Sequence, residues 1–505
     1  MQSQMNKLKP LKCILLSALL FYFAVSVTAQ NDTISRQNQE MQTFDSYKDV
    51  GYNQVIRPQF HFTSLKNWIN DPNGMVWYDG EYHLFFQHNP LDAKWGNMTW
   101  GHAISADMIH WKQLPHAILP YSGGTIFSGT AVVDYNNILD KQKSNTKTLV
   151  AIFTFAREPF FQAGVFSTDK GRTFQLINNG AALVPNQGLD KGERDPKVFW
   201  HEPSKKWILV LWVKLAENTG KSSATPGKIR FFTSNNLIDW KATSDFDREW
   251  VFECVDFVEL AVDGNKNNKK WLLYDASFDY EIGDFDGKVF TTDKKVFKGD
   301  VGINFYAAQT FNNSPDGRTV MIGWMSDGAN SFLKTNMPFN QQMSFPTTMT
   351  LKTTTEGVRL FRWPVKEIEQ LYVKTYSFKN LSAKKAIKKL TDIKAELLDM
   401  SIEFAPTESM KLNIRGLELT YDHKNELFIF GASKIPAPII NGKVKLRVLV
   451  DRASLELFVN EGAAVASFCA EPPPDHQKIS FSANDEMKIN SLVINVLKSS
   501  WVNSK

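Results

Sequence analysis

The chain has 505 residues with 58 Lys plus Arg against 53 Asp plus Glu, a formal net charge of +5. So small an excess excludes a nucleic-acid binder that works by bulk charge, and equally an acidic disordered chain. Hydrophobic residues at 43% and charged residues at 22% are ordinary globular values, and the length suits two or more domains. The aromatic load of 37 Phe, 14 Trp and 13 Tyr favours β-structure, and aromatic faces suit sugar rings.

The N-terminus reads as a secretory signal peptide over residues 1–29. Lys7, Lys9 and Lys12 form a positive n-region, Cys13 to Val27 is almost continuously apolar, and Val27-Thr28-Ala29 has the small-residue form of a cleavage site. The apolar run falls short of the roughly 20 residues of a membrane span. Cleavage after Ala29 makes the protein secreted or periplasmic, with an uncleaved anchor as the alternative. It removes three lysines and no acid, which lowers the net charge to +2. No later stretch is apolar enough for a membrane helix. Cys254 and Cys469 are the cysteines that remain, too few for a disulfide scaffold. Residues 30–55 are polar and read as a flexible lead-in.

From about residue 56 the pattern is short strands and turns. Val76-Trp77-Tyr78, then Asp79-Gly80, then Glu81 to Phe86 is a hairpin signal, because Asp-Gly supplies the positive φ angles of a tight turn. A weak repeat follows. Ser105-Ala-Asp107-Met-Ile-His-Trp111 resembles Ser234-Asn-Asn-Leu-Ile-Asp-Trp240, and Ser167-Thr-Asp169 to Phe174 is a looser copy, at spacings of 62 and 67 residues. Each copy reads as a strand end, a polar turn and an aromatic that opens the next strand. Repeats of that size suggest blades around an axis, with room for about five between residues 56 and 360. Trp363-Pro364, Val365, Ile368 and Leu371 suggest a linker helix over 361–375. Residues 376–505 are Lys-rich with alternating apolar runs, notably Val444, Leu446, Val448 and Val450, then Leu455, Leu457 and Val459. They read as a β-sandwich, so the expected fold class is all-β.

No phosphate-binding glycine loop, no G-x-S-x-G elbow and no zinc motif is present among the nine histidines and three cysteines. Asp284-Phe-Asp286-Gly287 lacks the length of a calcium loop and reads as a blade turn. Three acids sit in unusual settings: Asp71 in Trp68-Ile-Asn-Asp-Pro-Asn-Gly74, Asp195 in Glu193-Arg-Asp-Pro196, and Glu253 in Phe252-Glu-Cys-Val-Asp-Phe257. Each alone reads as an Asx turn or a strand-end acid. Together they suit glycoside hydrolysis, which in a retaining enzyme needs an ionised carboxylate and a protonated one about 5 Å apart. Prolines after Asp71 and Asp195 restrict the preceding backbone, and Phe252, Val255 and Phe257 offer apolar surroundings for Glu253. Acids this far apart in sequence meet only in a closed fold such as a propeller.

In these motifs the chain resembles glycoside hydrolase family 32, the β-fructofuranosidases. The likeness rests on Trp68 to Gly74, Gln87-His-Asn-Pro90, Trp95-Gly-Asn97, Trp100-Gly-His-Ala103, Phe127-Ser-Gly129, Arg194-Asp-Pro-Lys-Val198, Glu253-Cys254, Phe305 to Thr310, Gly323-Trp-Met325 and Val450 to Phe458. The resemblance implies a five-bladed β-propeller followed by a β-sandwich, acting on levan, inulin or sucrose with no metal or organic cofactor. It makes Asp71 the nucleophile, Glu253 the acid and base, and Asp195 the transition-state stabiliser. It puts Asn70, Gln87, Trp95, Ser128 and Arg194 around the terminal fructose, with Phe127 and Trp324 as apolar walls. Val255 stands where many members have Pro, and Met337 to Gln342 replaces a more Trp-rich stretch. Asp rather than Glu at position 71 favours exo-action. The alternatives are an endo-levanase or fructosyltransferase of the same family, or a non-catalytic fructan-binding propeller.

Overall fold

A computed structural model describes residues 44–215, 227–326, 332 and 335–501. The signal segment lies outside the described residues, as does most of the lead-in. Five four-stranded antiparallel blades surround an axis, and a two-sheet sandwich follows them.

The blades are built in chain order. Their innermost strands are Asn67–Tyr78, Thr125–Asp134, Arg194–His201, Asp256–Val262 and Tyr306–Thr310. These strands are mostly buried although several carry polar and charged residues, which must therefore find partners around the axis. The repeat marks one corner of successive blades. Ser105, Ser167 and Ser234 each end a third strand, and the Asp or Asn two residues later accepts backbone N–H bonds from the turn. This is an Asx turn, and it explains why that residue type recurs. Asp286, from the segment read as a blade turn, caps the fourth-blade corner in the same way, accepting from Lys288 and Val289 at 2.8 Å.

Closure uses both backbone and buried polar groups. Phe339–Asn340 pairs in parallel with Asn67 and Trp68, and so links the fifth blade's excursion to the first blade. The Asn312 amide nitrogen donates to Ala131 O at 2.8 Å and Val198 O at 3.1 Å, while its own N–H and C=O engage Met75 and Trp77. One residue, through its side chain and its backbone, thus ties four blades together. Lys197 Nζ lies 3.0 Å from Asp256 and 2.9 Å from Thr310 Oγ1, deep in the axis.

Residues 398–405, 410–414 and 444–450 alternate buried and less buried positions, as the sandwich reading requires. Ser454–Val459 differs in being buried at every position. Leu455, Leu457 and Val459 fill the sandwich core, while Phe458 joins a second core with Phe60, Phe62 and Trp501 between the domains. His61, from the start of the propeller, bridges Asp451 at 2.9 Å and Glu456 at 2.8 Å. Propeller and sandwich therefore share one apolar interface with a buried ionic centre.

Three sequence expectations need correction. The end of the lead-in is docked rather than loose: Asp45–Lys48 is helical, Tyr47 is buried, and its hydroxyl bonds His88 at 2.8 Å. An aromatic with a polar tip found a pocket that the local polarity did not reveal. The linker helix shrinks to a 3-10 turn over Lys366–Leu371, because Gly357–Pro364 pairs along its whole length as the fifth blade's outer strand and Tyr372–Ser382 already pairs within the sandwich. The helix Ala383–Leu390 lies within the segment read as strands.

Candidate active site

Four innermost strands carry the same irregularity near one end of the axis. Each has one extra residue against its neighbour: at Asn70-Asp71, at Phe127-Ser128, at Asp195-Pro196 and at Ala307-Ala308. A bulge of this kind re-aims a side chain that would otherwise lie in the ladder. Gly74 belongs to a second bulge in the first strand. Its φ is 52°, and a Cβ there would meet Trp100 at 2.7 Å and Phe85 at 2.8 Å, so only glycine fits. Asp195 has φ 66° and Cys254 φ 51°, both in the left-handed region. The extended backbone expected before Pro196 is thus not adopted at Asp195. Such strain persists where surrounding bonds over-determine the geometry. Here the Asp195 N–H donates to Thr154 Oγ1 and its carboxylate accepts the Cys254 N–H, both at 2.9 Å.

The three acids converge. Ser128 Oγ donates to Asp71 Oδ2 at 2.7 Å, and the Asn70 amide donates to Oδ1 at 3.0 Å. Trp68 Nε1 in turn holds the Asn70 oxygen at 2.8 Å. Cys254 Sγ lies 3.5 Å from Asp71 Oδ2 and 3.4 Å from Asp195 Oδ2, so one thiol touches both carboxylates. Glu253 receives Arg194 Nε at 2.8 Å on one oxygen and the Tyr306 hydroxyl at 2.9 Å on the other. Arg194 lies over Trp212 at 4.5 Å and approaches Asp195 at 3.9 Å.

Burial lifts the Asp71 carboxyl above the ordinary range; its bonds to Ser128 and Asn70 work against that, and the Glu253 charge adds to it. Burial and then the Glu253 charge push Asp195 up to about 7. Burial also drives the Cys254 thiol and the Tyr306 phenol well up, so both remain protonated donors. Three carboxylates in one cavity cannot all ionise cheaply, so the cluster retains a proton.

All ten residues expected at the site line one cavity of about 550 Å³: Asn70, Asp71, Gln87, Trp95, Phe127, Ser128, Arg194, Asp195, Glu253 and Trp324. Trp95 is 60% exposed at the rim and meets Phe127 edge-on at 6.2 Å. Trp324 packs edge-on against both Trp68 and Tyr306 at 6.1 Å. One expectation fails in detail. The Glu253 carboxyl sits between Arg194 and Tyr306 and is 22% exposed, rather than among Phe252, Val255 and Phe257. Val255 and Phe257 point into the blade core, because the left-handed Cys254, φ 51°, turns the chain between Glu253 and the strand that begins at Asp256.

Sequence reasoning missed Tyr306 as a site residue, although its motif was visible. It also missed Glu158, Phe160, Asp190 and Lys191, which reach the cavity from loops with no motif of their own. The stretch Met337 to Gln342 has a closing role on the described residues: Gln341 accepts from Trp324 Nε1 at 3.1 Å, and Gln342 donates to Ala453 O in the sandwich at 2.8 Å.

A propeller with three acids at the axis and a trailing sandwich defines a class. The profile of the glycosyl hydrolases family 32 N-terminal domain matches residues 61–364, and that of the family 32 C-terminal domain matches residues 367–496. The chain belongs to glycoside hydrolase family 32 and is a glycoside hydrolase. It is 38% identical over 498 residues to a levanase of Bacillus subtilis, covering 89% of this chain and 72% of that one. It is 31% identical over 486 residues to an extracellular exo-inulinase of Aspergillus ficuum, covering 81% of this chain and 88% of that one. The crystal structure of an exo-inulinase from Aspergillus awamori superposes with a TM-score of 0.78 at 27% identity, covering 89% of this chain and all of that one.

Proposed function

We propose that this β-fructofuranosidase removes terminal β-D-fructofuranosyl units from levan, inulin or sucrose by a retaining double displacement, one fructose at a time. Asp71 is the nucleophile. Its carboxylate attacks the anomeric carbon while the bond to the leaving oxygen breaks, and Glu253 gives that oxygen its proton. Water then opens the glycosyl–Asp71 ester, and its proton returns to Glu253. One water is consumed per turn and both carboxyls are restored. In its ionised form Asp195 accepts hydrogen bonds from the sugar hydroxyls and sets negative charge beside the oxocarbenium-like centre.

The observation that carries this reading is the convergence of Asp71, Asp195 and Glu253 on one cavity, with both Asp71 oxygens already oriented by Ser128 and Asn70. Orienting a nucleophile before the substrate arrives removes part of the entropic barrier. Aromatic walls at Trp95, Phe127 and Trp324 suit the apolar faces of sugar rings. Export to the periplasm or medium belongs to the same reading: residues 1–29 have the form of a signal peptide, and one relative is named as extracellular.

Asp71→Asn and Glu253→Gln are each expected to cut fructose release by orders of magnitude while circular dichroism stays unchanged. Wild-type turnover by either variant sinks the assignment. On levan the wild type should yield free fructose alone. A ladder of oligomers would replace exo-action by endo-action, and lengthened chains would indicate transfer.

A further inference from the structure

The innermost strand Arg194–His201 carries Asp195 at its start and Phe199 and Trp200 near its end. At about 3.3 Å per residue these lie roughly 15 Å apart along the strand. The buried Lys197–Asp256 pair stands between them. Beyond that pair, two cavities of about 440 and 630 Å³ share Phe199, Trp200, Asn312 and Asn313 as walls and so form one groove, separate from the acids.

The groove has the chemistry of a sugar-binding surface. Tyr135, 46% exposed, lines one arm beside Trp207. Trp200 stays partly exposed, but it is braced edge-on against Trp207 at 5.3 Å and its indole N–H donates to Glu202 at 2.6 Å. Phe199 rests on Trp271 at 5.1 Å. Rings fixed from behind lose little entropy when a ligand covers them. The charged wall residues are paired: Glu202 with Lys205, Glu259 with Lys269, and Lys197 with the buried Asp256 behind the wall. That pairing leaves no surplus charge for an ionic ligand. The exposed amides of Asn136 and Asn313 remain as donors and acceptors.

We propose that this groove is a second, non-catalytic glycan site that holds a neutral fructan chain at the far end of the propeller axis. The choice of fructan rests on the proposed function; the aromatic and amide chemistry stands without it. Tethering the polymer there raises the local concentration of chain ends at the acids. The benefit is therefore confined to polymeric substrate.

Affinity electrophoresis through levan-containing native gels, with kinetics on levan and sucrose, tests this on the full chain. Tyr135→Ala and Trp200→Ala are each expected to weaken levan retardation and raise the levan KM by about threefold to tenfold, the range of one lost aromatic contact. Sucrose kinetics should stay at wild-type values, which also verifies folding, and Trp200→Phe should restore most of the retardation. Tyr135 is exposed enough that its truncation leaves the fold intact. Unchanged retardation and levan KM in Tyr135→Ala overturn the second site. If the wild type still releases fructose from levan in that case, the catalytic reading stands alone. A wild type that is retarded through Tyr135 yet cleaves neither substrate overturns the catalytic reading and supports the groove.

Discussion

At the scale of single residues, the site stores charge that the folded chain tolerates poorly. Burial, reinforced by the Glu253 charge, raises Asp195 from 3.8 to about 7. The folded state therefore favours the protonated form. That contribution to stability is complete below about pH 4 and is lost as pH rises through 7. Above that window the ionised carboxylate burdens the fold. Asp195→Asn should raise the Tm at pH 8 by about 2 °C or more while removing most hydrolysis, and the gain should shrink at pH 5. Thermal melts at the two pH values check this, and an equal shift at both, or a loss at pH 8, would contradict it. The identities of these residues were legible in the sequence, since rare local contexts flagged Asp71, Asp195 and Glu253. Their partners were not. Nothing local couples Ser128 to Asp71, or Tyr306 to Glu253, because each contact joins different blades.

At the scale of elements, the repeated one-residue bulge gives the innermost strands their function. It turns Asp71, Ser128 and Asp195 out of their ladders. The same strands must also seal the axis, and buried polar groups do so below the acids. Lys197 is 3% exposed and its partner Asp256 is fully buried. Removing one member of such a pair leaves an uncompensated charge, so Lys197→Met should cost about 3–5 kcal/mol in urea unfolding. Asp256→Asn in the same background should recover part of that loss, and a purely additive double variant would refute the coupling. Strand existence and the blade corners were readable from the sequence through alternation and the Ser-x-Asp turns. The bulges were not, since an extra residue is defined only against a neighbouring strand.

At the scale of the whole molecule, propeller and sandwich are joined by a shared core and by His61 between Asp451 and Glu456. Burial opposes the imidazolium, but bonds to the two carboxylates outweigh it and hold His61 at about 9. The stabilisation is therefore full below pH 6.5 and is lost as pH rises through about 9. The wild-type Tm should fall across that window in a single calorimetric transition, because the domains unfold together. His61→Gln should flatten this dependence and lower the Tm at pH 6. Separate transitions for the two domains would show the interface to be weaker than its burial suggests.

The sequence by itself determined the all-β class, the blade repeat, the propeller-then-sandwich order and the identity of the acids. These follow from alternation, turn chemistry and motif residues, all of which act over a few positions. The tertiary structure decided the rest. It fixed which carboxyl meets which donor, the left-handed backbone at Asp195 and Cys254, the docking of Tyr47, and the groove around Trp200. Each of these depends on groups brought together across blades or domains. Their energies come from burial and neighbouring charge, which a residue acquires only once the chain has closed around it.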